Sequence, residues 1–430
     1  MSKLKFTENE NANANNAVAV KPSFISHPEY YDYEASGSVW KTNAYDASLQ
    51  ALHNAKGIDY DDYEVVKPDP VSREDVVAVH TPEYADTVFG NPKKNSTAWY
   101  GGPWSPKAQK AVFRSAGGTI RNNEEALKRG VSVQLYDAFH HAYPNHGEGF
   151  CVLNDVAIAA VKAANNGKKV MIIDTDVHQG QGTVVCTQGN SNIYTISFHQ
   201  ENLYPMPKGK SSMDIGYEDG ITDDVFLTKL SSSLNQAIQN FMPDLVMFVA
   251  GTDLYRGDKL SDTDISIDGI QQINKYILDF FGSKGIPVAM SVPQGYARDP
   301  KDTERLLQNA IKEAVAAHKK YYSNQKSSAL KFQADLYHNI LFTVVPKLYN
   351  FDRDITPELQ NFSSKYVFLW DTWDEIKTFD ASKWKALKVF LPKDVKFKEL
   401  GKVGTTGYSL PKVPKEWPME EVNTKPPYVQ

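Results

Sequence analysis

The chain is poor in the features that mark specialised protein classes. Cysteine is scarce: Cys151 and Cys186 are the two in 430 residues. That excludes a disulfide framework, and nothing requires an oxidising compartment. Charge of one sign is scarce too. A net charge of −5 gives no broad basic footprint for nucleic acid and no polybasic membrane patch. The apolar runs are far too short to span a bilayer. The first ten residues carry no apolar core of a signal peptide. The expectation is a reduced, soluble, cytoplasmic-type protein, with export into a host cell or nucleus by a receptor-read address left open. No internal repeat is found. A dinucleotide fingerprint is also lacking, because Gly180-Gln181-Gly182-Thr183 does not directly follow a strand and its spacing is incomplete.

What is present fits an ordinary globular protein, with 41% hydrophobic and 23% charged residues. The length suits one large α/β domain plus an extension, or two domains. Residues 7 to about 20 are rich in Asn, Ala and Glu, so 1–23 reads as a disordered leader. Residues 24–322 alternate short apolar runs with helical patterns. Strands are expected over 131–135, 170–173, 193–198, 245–250 and 288–292, and helices over 107–129, 154–165, 224–241, 267–282 and 302–318. Strand then helix, repeated, implies a doubly wound, mostly parallel sheet flanked by helices. Beyond about residue 323 a linker leads into a Lys-, Trp-, Tyr- and Pro-rich extension, 323–430, of unassigned role.

The chemistry concentrates where strands end. The apolar run 170–173 leads into Asp174-Thr175-Asp176-Val177-His178, which sets acid, acid and imidazole at every second position. Mixed carboxylate and imidazole ligands suit zinc or a similar divalent ion. Asp253 follows another apolar run and supplies a third ligand. Alone, Asp176 reads as a turn cap and His178 as a satisfied loop histidine; together with Asp253 the metal reading prevails. Such a metal lowers the pKa of bound water to about 7 and polarises a carbonyl. His140-His141 are suited to accepting and returning a proton beside it. Tyr296, after Gly295, can donate to a developing oxyanion. Cys151 reads as a small buried apolar residue rather than a nucleophile. His140-His141, the Asp-Asp-His cluster, Ser197-Phe198-His199, Asp253 and Tyr296 all fall just past expected strand ends, so five loops converge on one edge.

As a set these residues resemble the zinc-dependent histone deacetylase superfamily. The resemblance runs from about residue 27 to about 318. Its carriers include Val79-His80-Thr81-Pro82-Glu83-Tyr84, Phe139-His140-His141-Ala142, Gly149-Phe150-Cys151-Val152-Leu153-Asn154-Asp155, Ala250-Gly251-Thr252-Asp253, Gly257-Asp258-Lys259-Leu260 and Gly295-Tyr296. In style the chain is similar to the class IV branch and related bacterial members. The resemblance implies an arginase-like fold and hydrolysis of acetyl-lysine amides, with Asp176, His178 and Asp253 on zinc. It implies His141 as the main base and acid, His140 as its electrostatic partner, Asp174 bonded to His140, and Tyr296 at the oxyanion. Gly149, Phe150, Tyr204 and Leu260 would line an acyl-lysine channel. Asp174, Asp176, His178, Ser197 and Phe198 would surround a structural potassium ion. The implied partner is an acetylated protein or peptide lysine, histone tails among them, which would make the chain a chromatin regulator. No direct nucleic-acid or membrane contact is expected, and 323–430 is a candidate protein-binding part. Alternatives are an acetylpolyamine or other small-amide amidohydrolase and a weakly catalytic acyl-lysine-binding scaffold. Leu260 stands where polyamine-specific relatives carry an acid, which favours acyl-lysine.

This chain also departs from the pattern. Gln179 replaces a second histidine found in many members. Gln181 stands where Asp or Asn usually orients the catalytic histidine, so the pKa of His141 is expected to be lower. Pro293-Gln294 replace part of a glycine run, and the loop 99–103 lacks a peptide-clamping Asp.

Overall fold

The computed structural model describes residues 5–8, 20–32, 51–52, 54–59, 62–91, 104–293, 295–323, 349–351, 354, 366–369 and 397–399. The loop 99–103, Gln294, residues 324–328 of the linker and the Pro-rich end 414–430 lie outside them. The chain divides into two compact units, Val20–Gln325 and a second made of Met1–Ala19 with Lys326–Gln430.

The larger unit carries one sheet of eight strands, all paired in parallel. In chain order they are β1 (Ser23–Ile25), β2 (Glu64–Val66), β3 (Val131–Gln134), β4 (Val170–Asp174), β5 (Ile193–Gln200), β6 (Met213–Tyr217), β7 (Leu245–Val249) and β8 (Val288–Ser291). Their order across the sheet is β2-β1-β3-β8-β7-β4-β5-β6. The helices are α1 (Arg73–Val77), α2 (Pro82–Phe89), α3 (Pro106–Arg129), α4 (Asp155–Asn165), α5 (Gln181–Thr187), α6 (Asp223–Asn240), α7 (Ile267–Gly282) and α8 (Pro300–Tyr321).

Both faces of the sheet are covered, so its central strands are apolar along their whole length. All residues of β4 and β7 are buried. Alternation then sorts their side chains by face. Met171, Ile173, Val246 and Phe248 join a core with Ile273, Ile277 and Phe281 of α7 and Leu307 and Ile311 of α8. Val170, Ile172, Leu245 and Met247 join the opposite core with Val112 and Ile120 of α3 and Val156 and Ala160 of α4. Each large aliphatic side chain buried this way contributes about 2 kcal/mol. No helix among the described residues is long and apolar enough to cross a membrane.

Two expectations need correction. Lys5–Glu8 is not part of a disordered leader. It pairs antiparallel with Tyr366–Leu369, setting Phe6 opposite Phe368, and the Asn-rich composition that suggested disorder begins only after it. A second ladder, Tyr349–Phe351 with Phe397–Glu399, gives the extension sheet structure of its own. In addition, β5 runs to Gln200, so Ser197, Phe198 and His199 lie inside a strand rather than beyond it. The register explains this: His199 and Gln200 still find partners in Gly216 and Tyr217 of β6.

Candidate active site

The C-terminal edge of the sheet gathers the expected residues. Asp174 is the last residue of β4, and Asp176 and His178 follow it. Asp253 sits in a short 3-10 turn, Thr252–Leu254, just after β7. Because β4 and β7 are hydrogen-bonded neighbours, with Asp174 opposite Val249, their two loops meet. The backbones approach so closely that a side chain on Gly251 would lie 2.5 Å from Asp176 Cα. Ligand atoms of Asp176, His178 and Asp253 all lie within 4.8 Å of one another. His178 Nδ1 is 3.0 Å from Asp176 Oδ1 and 3.2 Å from Asp253 Oδ2.

Ligands held about 2.1 Å from a tetrahedral ion stand about 3.4 Å apart, so this spacing suits a zinc-sized cation. The charge balance agrees. Burial, and then the charge of Asp176, push the Asp253 carboxyl well above its usual range. Burial pulls the His178 imidazole down, but its bonds to Asp176 and Asp253 prevail and carry it up to about 10. Two buried carboxylates that crowd one another in this way call for a cation between them.

The tandem histidines are held by α4 and α5. Asn154 caps α4 through Oδ1, while its Nδ2 donates to the carbonyls of His140 and Ala142. Asp155 accepts from Phe139 N and from the Thr119 hydroxyl, which anchors the approach to His140. Helix α5 packs directly on the pair: a Cβ on Gly182 would lie 2.5 Å from His141 C. His140 Nδ1 donates to Asp174 Oδ2 at 2.7 Å, and His141 Nδ1 faces Gln181 Oε1 at 2.7 Å. Burial lowers the His140 pKa, but the Asp174 and Asp176 charges outweigh it and bring it up to about 9. His141 is held well below its ordinary value of 6.5, by burial first and the neighbouring His140 charge second. The lowering expected from Gln181 is therefore present with another cause: the Gln181 bond itself raises the value.

These groups line a cavity of about 100 Å³ together with Gly149, Phe150, Tyr204, Leu260 and Tyr296. One wall is a tight turn. Glu148 and Cys151 exchange backbone bonds of 2.9 and 2.8 Å, and the two residues between them, Gly149 and Phe150, have φ of +53° and +65°. Two positive φ values in a two-residue hairpin loop define a type I′ turn. Glycine is required at 149 on a second count, because a Cβ would approach the His141 ring to 2.6 Å. Tyr204 also lines the cavity, with its ring centroid 5.1 Å from His141. Its loop is pinned by Gln179, whose Nε2 donates to Gly209 O and to Asp214 Oδ1.

Tyr296 follows Gly295, which has φ +61° and whose Cβ would meet Thr252 Oγ1 at 2.7 Å. Burial, then the Asp137 charge, push its phenol well above 10. Ser197 is paired with Asp174 across β4 and β5, and Asp176 and His178 follow β4 directly. Cys151 is buried, and burial pushes its thiol well up, which suits a packing role.

Three functional neighbours escaped sequence reasoning. Asp258 accepts from Leu260 N and from Tyr296 N, tying a channel residue to the tyrosine. Glu148 bonds the Tyr204 hydroxyl at 2.5 Å. Gln179, a departure from the family pattern, pins the Tyr204 loop. Asp258 and Glu148 both sit two residues before a cavity-lining residue, Leu260 and Phe150, and that is the one signal they leave in the sequence.

Known proteins share this framework. The histone deacetylase domain matches residues 39–314. An uncharacterised protein of Picosynechococcus is 33% identical over 242 residues, covering 56% of this chain and 81% of its own. Histone deacetylase 2 of Arabidopsis thaliana is 30% identical over 263 residues, covering 57% of this chain and 66% of its own. In fold, a solved histone deacetylase homologue complexed with SAHA matches with a TM-score of 0.61 at 22% identity, over 69% of this chain and 84% of its own. With its domain spanning most of the larger unit, the chain is a hydrolase of the histone deacetylase family.

Proposed function

We propose that this chain is a zinc-dependent protein lysine deacetylase that hydrolyses the amide of N6-acetyl-lysine. The observation that carries the reading is the convergence of three metal-type ligands, two histidines and a tyrosine on one narrow cavity with aromatic walls. Asp176, His178 and Asp253 would hold the zinc, which supplies a Lewis acid for the carbonyl and for the attacking water. Phe150 and Tyr204 would sandwich the methylene stem of the lysine, and Leu260 would meet it at the rim.

With Nδ1–H donated to Gln181, the free electron pair of His141 lies on Nε2, which takes the proton of the attacking water and returns it to the amine nitrogen as the C–N bond breaks. His140 Nε2 lies 3.1 Å from that atom, and its Asp174 partner favours a positive charge beside the developing oxyanion. Tyr296 donates to the oxyanion from the side of the cavity it lines. A structural potassium ion at Asp174, Asp176, His178, Ser197 and Phe198 belongs to the same proposal. So do an acetylated protein partner, histone tails included, and a docking role for 323–430.

The test is acetate release from an acetyl-lysine peptide by protein of measured zinc content. One zinc per chain is expected, with kcat reduced about a thousandfold in His141→Ala. Turnover of an acetylpolyamine equal to or better than that of the peptide would replace lysine by a small amide as the substrate. Unchanged turnover in His141→Ala would end the mechanism.

A further inference from the structure

Glu148 is an acidic group beside the cavity that the proposed chemistry leaves unused. Its side chain is 34% exposed, and Oε2 meets His146 Nε2 at 3.3 Å. Its Oε1 points the other way, toward the cavity wall. There it accepts from the Tyr204 hydroxyl at 2.5 Å and faces Gln181 Nε2 at 3.5 Å. Gln181 Nε2 in turn donates to the Tyr204 oxygen at 3.2 Å. Gln181 is buried, so its amide has no water to turn toward. Its other end, Oε1, is the atom 2.7 Å from His141 Nδ1.

The direction of this chain of bonds follows from chemistry. A carboxylate only accepts, so the amide must aim its NH2 at Glu148 and its oxygen at His141. An amide oxygen only accepts, so His141 must carry its hydrogen on Nδ1 and its lone pair on Nε2, the atom 3.1 Å from His140 Nε2. A glutamine could otherwise present either end. It gains a fixed sense here because an acid stands beside the cavity.

We propose that Glu148 is a positioning residue for the deacetylase reaction: through the Gln181 amide it fixes the tautomer of His141, and through the Tyr204 hydroxyl it holds one wall of the channel to the same amide. The inference rests on the function proposed above. It adds that base and channel wall are held by opposite ends of one amide, so a side chain that displaces the Tyr204 ring also disturbs the base.

The test uses the full chain with Glu148→Gln, which keeps the shape and removes the obligatory acceptor. With zinc content unchanged, kcat should fall about tenfold, because a general base in the wrong tautomer cannot act and a freed amide populates both senses. Selectively ¹⁵N-labelled histidine should show His141 as Nδ1–H in the unsubstituted protein and shifted toward Nε2–H in the variant. Adding Gln181→Glu to Glu148→Gln exchanges acid and amide, and should restore both the Nδ1–H signal and most of kcat. A purely structural role predicts no such rescue. The proposal is overturned by an Nε2–H signal for His141 in the unsubstituted protein, a result that needs no variant to fold. It is equally overturned by Glu148→Gln with kcat and tautomer unchanged, or by a double variant no better than the single. An unsubstituted protein inactive on acetyl-lysine peptide would end the deacetylase reading instead, and the ¹⁵N signal would still decide the positioning of His141.

Discussion

The floor of the cavity is made of strand ends and its rim of turns. Asp176, His178 and Asp253 are carried by β4 and β7, two buried strands whose parallel ladder fixes their spacing. Gly149, Phe150 and Tyr204 are carried by a two-residue turn and a loop, fixed by side-chain bonds from Glu148, Gln181 and Gln179. A floor tied to the core resists anything short of losing a ligand. The rim depends on a few hydrogen bonds and on glycines in the left-handed region, so it should fail by degrees.

The largest break should come at the floor. Asp253→Asn keeps the shape and removes the charge, and is expected to abolish both zinc retention and acetate release. Metal analysis and a turnover assay on the same sample check this. Retained zinc with full activity would place the metal elsewhere.

At the rim, Gly149→Ala should cost less but act on the same chemistry. It strains a φ of +53° and drives a methyl into the His141 ring, so kcat is expected to fall about a hundredfold. Gly189→Ala is the matched control, since its φ is +81° with nothing within 4 Å of the added methyl. It should lose about 1 kcal/mol of stability and no activity. Equal activity losses in the two variants would erase the distinction between rim and surface.

The smallest effect concerns the support beneath both regions. His80 is buried, with Nδ1 donating to Tyr143 O and Nε2 accepting from Asn154 N, each at 3.0 Å. Burial lowers its pKa from 6.5 to about 4, against the pull of the Tyr143 and Pro144 carbonyls. The folded state therefore resists the proton that the unfolded chain accepts. The stability from neutral His80 is complete above pH 6.5 and is lost as pH falls toward 4, by about 3 kcal/mol in all. Urea unfolding at pH 7 and pH 5 should show this loss. His80→Gln should flatten it in part, because His318, also lowered to about 4, keeps its own share. An unaltered pH dependence in the variant would remove His80 from the account.

The floor was legible because period and chemistry coincide there. Asp174, Asp176 and His178 alternate along an extended segment after an unbroken apolar run, and the parallel sheet was implied by the same run. The five expected helices were readable to within a few residues, as at α7 (Ile267–Gly282), whose apolar spacing repeats every turn, whereas the short helices α1, α2 and α5 were not. Glu148 was hidden because its role depends on two turns meeting, and no local pattern encodes that meeting. Gln181 was noticed as a departure, but the sense of its amide is set by a residue in another loop. Lys5–Glu8 was hidden for a similar reason, since its partner strand lies more than three hundred residues away.

The turn between Glu148 and Cys151 has room for two residues, both with positive φ, clasped by paired backbone bonds. One inserted residue would break that clasp and rotate Phe150 off the cavity. The two-residue span from Glu148 to Cys151 thus sets the direction in which Phe150 faces the cavity.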